Sequence, residues 1–108
     1  MAWLLRDDEV LASVEVAEGF GARLRGLLGR DGIDGALLLR PARSVHTIGM
    51  RFPIDVAFVD RELTVVDMCT LAPNRVTRTR WRAHAVVEAE RGAFERWGLR
   101  IGDRIELR

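Results

Sequence analysis

Residues 54–59, Ile-Asp-Val-Ala-Phe-Val, constrain the fold of this chain more than any other stretch. Successive side chains of a strand point to opposite faces, so Ile54, Val56 and Phe58 form one row and Asp55, Ala57 and Val59 the other. Both rows are apolar except at Asp55. A segment of this kind must be covered on both sides, which makes it a central strand. Pro53 in front of it suits the first position of a strand, where a ladder donor is not needed.

The neighbouring segments supply partners for such a strand. Residues 3–6, the polar turn at 7–9 and residues 10–16 read as an opening hairpin, with Val10, Ala12, Val14 and Val16 alternating against Leu11, Ser13 and Glu15. Phe20, Leu24, Leu27 and Leu28 fall at i, i+4, i+7 and i+8, which predicts a helix ended by Gly29. After the turn signals Asp31-Gly32 and Asp34-Gly35, residues 36–39 read as a short buried strand, and residues 42–52 as an irregular connection. Asp60-Arg61-Glu62 turns the chain into a strand over 63–71, and the polar stretch 72–82 is the longest loop candidate. Residues 84–90 return to strand alternation. A short helix at 93–97 follows, with Phe94 and Trp97 on one face, and residues 104–107 form a last strand. Six or seven strands joined mostly by hairpin-like turns predict a mainly β (α+β) domain, a compact antiparallel β-barrel or jelly-roll-like sandwich with two short helices.

A chain of 108 residues accommodates one hydrophobic core, so residues 1–108 are taken as a single domain. With 48% hydrophobic and 31% charged residues it belongs with globular chains rather than disordered ones. Every one of its 17 basic residues is arginine, and 16 acidic residues leave a net charge of +1. That balance gives no global attraction to nucleic acid or to an anionic membrane. Cys69 has no second cysteine to pair with, the start shows no signal-peptide pattern, and no apolar run nears the roughly 20 residues that span a bilayer. A cytoplasmic location is the expectation, as a monomer or weak homodimer.

Three motifs stand out in order: Arg-Leu-Arg-Gly-Leu-Leu-Gly-Arg at 23–30, His-Thr-Ile-Gly-Met-Arg-Phe-Pro-Ile-Asp-Val-Ala-Phe-Val-Asp at 46–60, and the segment from Val86 to Ile105. With these the chain resembles the DUF192 family of small bacterial and archaeal proteins of unknown function. The resemblance implies a β-rich barrel or jelly-roll-like domain and brings no reaction or ligand with it. Two positions depart from the family pattern: Arg61-Glu62 stands where an Asp-Gly type turn is frequent, and Gly49 where many members carry tryptophan.

The residues suggest a ligand site at the entrance to the central strand. His46, Thr47, Met50, Arg51 and Asp55 lie close in sequence, and Asp55 could orient His46 or Arg51 through a charge-assisted hydrogen bond or cap the loop backbone instead. Glu88 sits in an otherwise apolar strand, at the family's acidic position before the second helix. Arg78, Arg80 and Trp81 form a basic, aromatic loop that would stand at the rim. The reading is a small binding or accessory module for a carbohydrate-like, polar or anionic ligand. The alternative is a hydrolase or lyase in which Asp55 and Glu88 act as a carboxylate pair. Cys69 alternates with Leu63, Val65 and Leu71 and reads as core. No metal or other cofactor is expected, since His46, His84 and Cys69 match no ligand spacing.

Overall fold

A computed structural model of the protein describes residues 2–18 and 31–108. The predicted first helix at 20–29 lies outside the described residues. The described chain runs β1 (Ala2–Arg6), β2 (Glu9–Glu18), β3 (Ala36–Arg40), β4 (Ile54–Val59), β5 (Val65–Leu71), β6 (Ala85–Glu90), α1 (Ala93–Trp97) and β7 (Glu106–Leu107). One helix, not two, stands among them.

All seven strands join one sheet in the order β5-β4-β6-β3-β2-β1-β7. The predicted central strand is interior: β4 pairs antiparallel with β5 on one side and β6 on the other, and all six of its residues are buried. The opening hairpin forms through Asp7 and Asp8, which take φ of 50° and 66°. Left-handed values at both central turn residues match the right-handed twist of the flanking strands.

Two expectations are corrected. The sheet does not close into a barrel, because its outer strands share no ladder. The β7 side reaches the start of β5 only through the isolated bridge Thr64↔Arg104 and flanking bonds such as Val65 N–H to the Asp103 carbonyl at 2.8 Å. A strand of two residues is too short to complete the circuit. Nor is the sheet wholly antiparallel, for β2 and β3 run parallel, from Val14 beside Ala36 to Glu18 beside Arg40. Gly35 admits this pairing. A Cβ there would lie 2.5 Å from the Ser13 carbonyl oxygen, and its φ of +73° suits glycine.

The single sheet buries apolar side chains on both faces, which accounts for the doubly apolar strands. One cluster gathers Leu4, Val14, Leu38, Ala57, Val59 and Val87 with Phe94 of α1. The other gathers Leu37, Leu39, Met50, Ile54, Val56, Phe58 and Val86. On α1, Phe94 and Trp97 share a face as predicted, with ring centroids 5.5 Å apart.

Candidate functional site

The loop entering β4 is built inward by Thr47. Its hydroxyl donates to the Ala72 carbonyl at 2.6 Å and accepts from the Arg75 N–H at 2.9 Å, and the side chain is wholly buried. The Thr47 backbone adds its N–H to the Arg75 carbonyl at 2.8 Å, while its own carbonyl accepts from Asn74 and Met50. Thr47 thus splices residues 45–50 to the loop after β5. Met50 is buried in the Phe58 cluster. His46 is exposed and forms a backbone bridge with Val76. Arg51 is exposed and ion-paired with Asp31 at 2.7 Å, an arrangement worth under about 1 kcal/mol in solvent. His46 and Arg51 therefore turn outward while Thr47 and Met50 turn inward.

Asp55 points to the other face. Ala57 and Val59, its row-mates on β4, pack in the Phe94 cluster. The Asp55 carboxylate accepts the Gly92 N–H at 3.0 Å and the Phe94 N–H at 3.2 Å through Oδ2, and the Thr70 hydroxyl at 2.8 Å through Oδ1. Gly92, with φ of 93°, has no side chain to cap the helix, so the cap comes from β4. Asp55 is a structural cap that touches neither His46 nor Arg51 by hydrogen bond or ion pair.

Glu88 stands beside Val56 and Leu37 in register. Residues directly opposite in a sheet share a face, so Glu88 belongs with the Phe58 cluster while Asp55 faces α1. The two carboxylates lie on opposite sides of the sheet and cannot flank one substrate bond. Only 3% of Glu88 is exposed, and burial pushes its carboxyl up to about 7.

In the loop after β5, Arg80 is also structural. Its Nε donates to Asp67 Oδ2 at 2.8 Å, a second nitrogen donates to the Arg78 carbonyl at 2.8 Å, and the guanidinium lies 4.6 Å from the Phe58 ring centroid. The hydrogen bond from Arg80 is the main reason the Asp67 carboxyl is held below its ordinary value. Arg78 and Trp81 stay exposed, Trp81 at 79%. The arginine and the tryptophan thus project from a loop pinned by Arg80.

An open concavity lies elsewhere, between β5 and α1. It is a cleft of ≈ 560 Å³ lined by Met68 and Thr70 of β5, by Arg91, Phe94 and Glu95, and by Leu99, with Asp55 at its back. Its size falls within the ordinary range for small-ligand sites. Cys69 borders it, half-buried, and desolvation pushes its thiol up, which disfavours the nucleophilic thiolate. Among the described residues no three His, Cys, Asp or Glu side chains gather closely enough to hold a metal ion. The sequence hid this cleft because Thr70 and Phe94 meet across the fold, and only the Asp55 link brings them together.

The DUF192 family model, described as an uncharacterized ACR, matches residues 3–107. The chain belongs to the DUF192 family. A UPF0127 protein of Pyrococcus furiosus is 33% identical over 103 residues, 91% of this chain and 89% of that protein. A solved protein of unknown function from Novosphingobium aromaticivorans superposes on this DUF192 domain with a TM-score of 0.83 at 18% identity, over 97% of this chain and 82% of that one. A solved protein of Sinorhizobium meliloti, described as a proposed transcription regulator, also gives 0.83, at 21% identity over 97% and 90% of the two chains. At these identities the likeness concerns the fold alone.

Proposed function

We propose that this DUF192 domain is a small binding or accessory module that holds a polar, carbohydrate-like or anionic ligand in the cleft between β5 and α1. The observation that carries this reading is the chemistry of the cleft walls. Met68, Phe94 and Leu99 offer an apolar floor, while Thr70, Arg91 and Glu95 offer hydrogen-bonding groups at its edge. A sugar or similar compound has both an apolar face and polar edges, and such a cleft meets both. Arg91 has no ion-pair partner among the described residues, which leaves its fork for a ligand carboxylate or hydroxyls. Thr70 donates to Asp55 and keeps its oxygen lone pairs as acceptors. Asp55 fixes the cleft by holding α1 against β4 and β5.

A hydrolase or lyase using Asp55 and Glu88 finds no support in this geometry, because the sheet separates the two. No described helix is long and apolar enough to cross a membrane. The free thiol of Cys69 fits a reducing compartment such as the cytoplasm. The test is a thermal-shift screen of sugars, organic acids and other small anions, repeated on Arg91→Ala. Ligand binding raises the melting temperature by mass action. A shift present in the wild type and lost in Arg91→Ala supports the reading, whereas a shift of equal size in both proteins removes the cleft from consideration.

A further inference from the structure

A second pocket, which shares no lining residue with that cleft, gathers two arginines and a histidine. Arg43, Arg61 and His84 line an open hollow of ≈ 450 Å³ together with Pro41, Ala42 and Ala83. The three side chains come from three places: the connection after β3, the turn between β4 and β5, and the residue leading into β6. No carboxylate lines the hollow.

The frame beneath is fixed by backbone bonds. Ala42 N–H donates to the His84 carbonyl at 2.9 Å, His84 N–H to the Val59 carbonyl at 2.7 Å, and Arg80 N–H to the Arg43 carbonyl at 2.8 Å. Arg43 is further held by its Nε, which donates to the Ala83 carbonyl at 3.2 Å and leaves its terminal nitrogens unused. Arg61 has no ion-pair or hydrogen-bond partner for its guanidinium among the described residues. Two acids flank Arg61 in sequence: Asp60 is committed to its own turn, accepting the N–H groups of Glu62 and Thr64 at 3.0 and 2.9 Å, and Glu62 lines a different hollow with Asp7, Asp8 and Arg104. Arg78 and Arg82 are exposed in the loop that contributes Ala83, and Asp67 is neutralised by Arg80. The lining of the hollow thus carries two arginines and no carboxylate, in a chain whose net charge is only +1.

We infer that the Arg43, Arg61 and His84 pocket binds a phosphate group, free or as the phosphate end of a small molecule. Three donor-bearing side chains from three separate segments suit a tetrahedral oxyanion, which can present an oxygen to each, better than a flat carboxylate with two. Arg43 and Arg61 supply planar forks, and His84 an N–H from its ring. The site is independent of the cleft proposed above, so either can fail without the other.

The experiment is an amide and side-chain NMR titration of the whole chain with inorganic phosphate at constant ionic strength, with chloride as control. A second arm uses glycerol phosphate. Expected are saturable shifts at Ala42, Ala83 and His84 with phosphate and none with chloride. Arg43→Met and Arg61→Met should each weaken binding about tenfold or more, the loss expected of a charge-assisted contact. Arg61 is exposed, so Arg61→Met keeps the fold and guards against misreading an unfolded variant. Tighter binding of glycerol phosphate assigns the pocket to a phosphate ester, and equal or tighter binding of inorganic phosphate assigns it to the free ion. Shifts that rise without saturation, or that persist in both variants, overturn the inference.

Discussion

Glu88→Gln should change how the protein's stability depends on pH, because burial of the carboxyl raises its pKa in the folded state. The carboxyl is buried between Val56 and Leu37, and desolvation raises it from an ordinary 4.5 to about 7. A raised carboxyl means that the folded state holds the proton more tightly than the unfolded chain. No cost exists below the unfolded value, and the cost grows as pH rises through the window from 4.5 to about 7. Over that span it reaches about 3 kcal/mol, at roughly 1.4 kcal/mol per unit. Glutamine keeps the shape and removes the ionisation. Urea unfolding of both proteins at several pH values from 5 to 8 should give a stability difference that moves in favour of Glu88→Gln by about 2 to 3 kcal/mol as pH rises. A difference independent of pH would refute desolvation as the governing effect, and one that moves in favour of the wild type as pH rises would mean that the folded protein stabilises the carboxylate instead.

Other substitutions test the structural roles assigned to residues near the cleft and loop. Asp55→Ala leaves the Gly92 and Phe94 N–H groups unsatisfied and should cost about 3 kcal/mol in urea unfolding, whereas Asp55→Asn, which can keep an acceptor toward α1, should cost about half as much. Equal losses would argue against the capping role. Thr47→Val removes the bonds to Ala72 and Arg75 and should lower stability by about 1 to 3 kcal/mol, with hydrogen exchange rising in residues 72–78; unchanged exchange there would show that the splice is unimportant. Cys69, with its thiol pushed up by burial, should react with iodoacetamide near neutral pH more slowly than a free cysteine does, and faster labelling would contradict the environment assigned to it.

The parts of the fold that sequence reveals are those governed by local pattern. β4 was readable as central because both of its faces are apolar, and the Asp7-Asp8 hairpin because short polar turns between alternating strands carry their own signal. The parallel join of β2 and β3 was not readable, since it depends on Gly35 approaching Ser13 across a long connection. The candidate site divides the same way. Crowding in sequence placed His46, Thr47, Met50, Arg51 and Asp55 together, but alternation along strands and loops sends them in different directions. Asp55 departs from an apolar row because α1 lacks a cap of its own, and Glu88 faces the opposite side. Their meaning lies in pairings made across the fold, Asp55 with Gly92 and Thr47 with Ala72 and Arg75. The two concavities arise from such pairings too, and for that reason no single motif announces either one.

The proposal of a ligand in the β5–α1 cleft is tested most directly by mapping where a bound compound acts. The measurement is an amide NMR titration with the strongest compound from the thermal-shift screen. Saturable shifts concentrated at Met68, Thr70, Gly92, Phe94 and Leu99 are expected, and their loss in Arg91→Ala. Saturable shifts confined to the far face of the sheet, around Glu88 and Val56, with the cleft residues unmoved, would contradict the account.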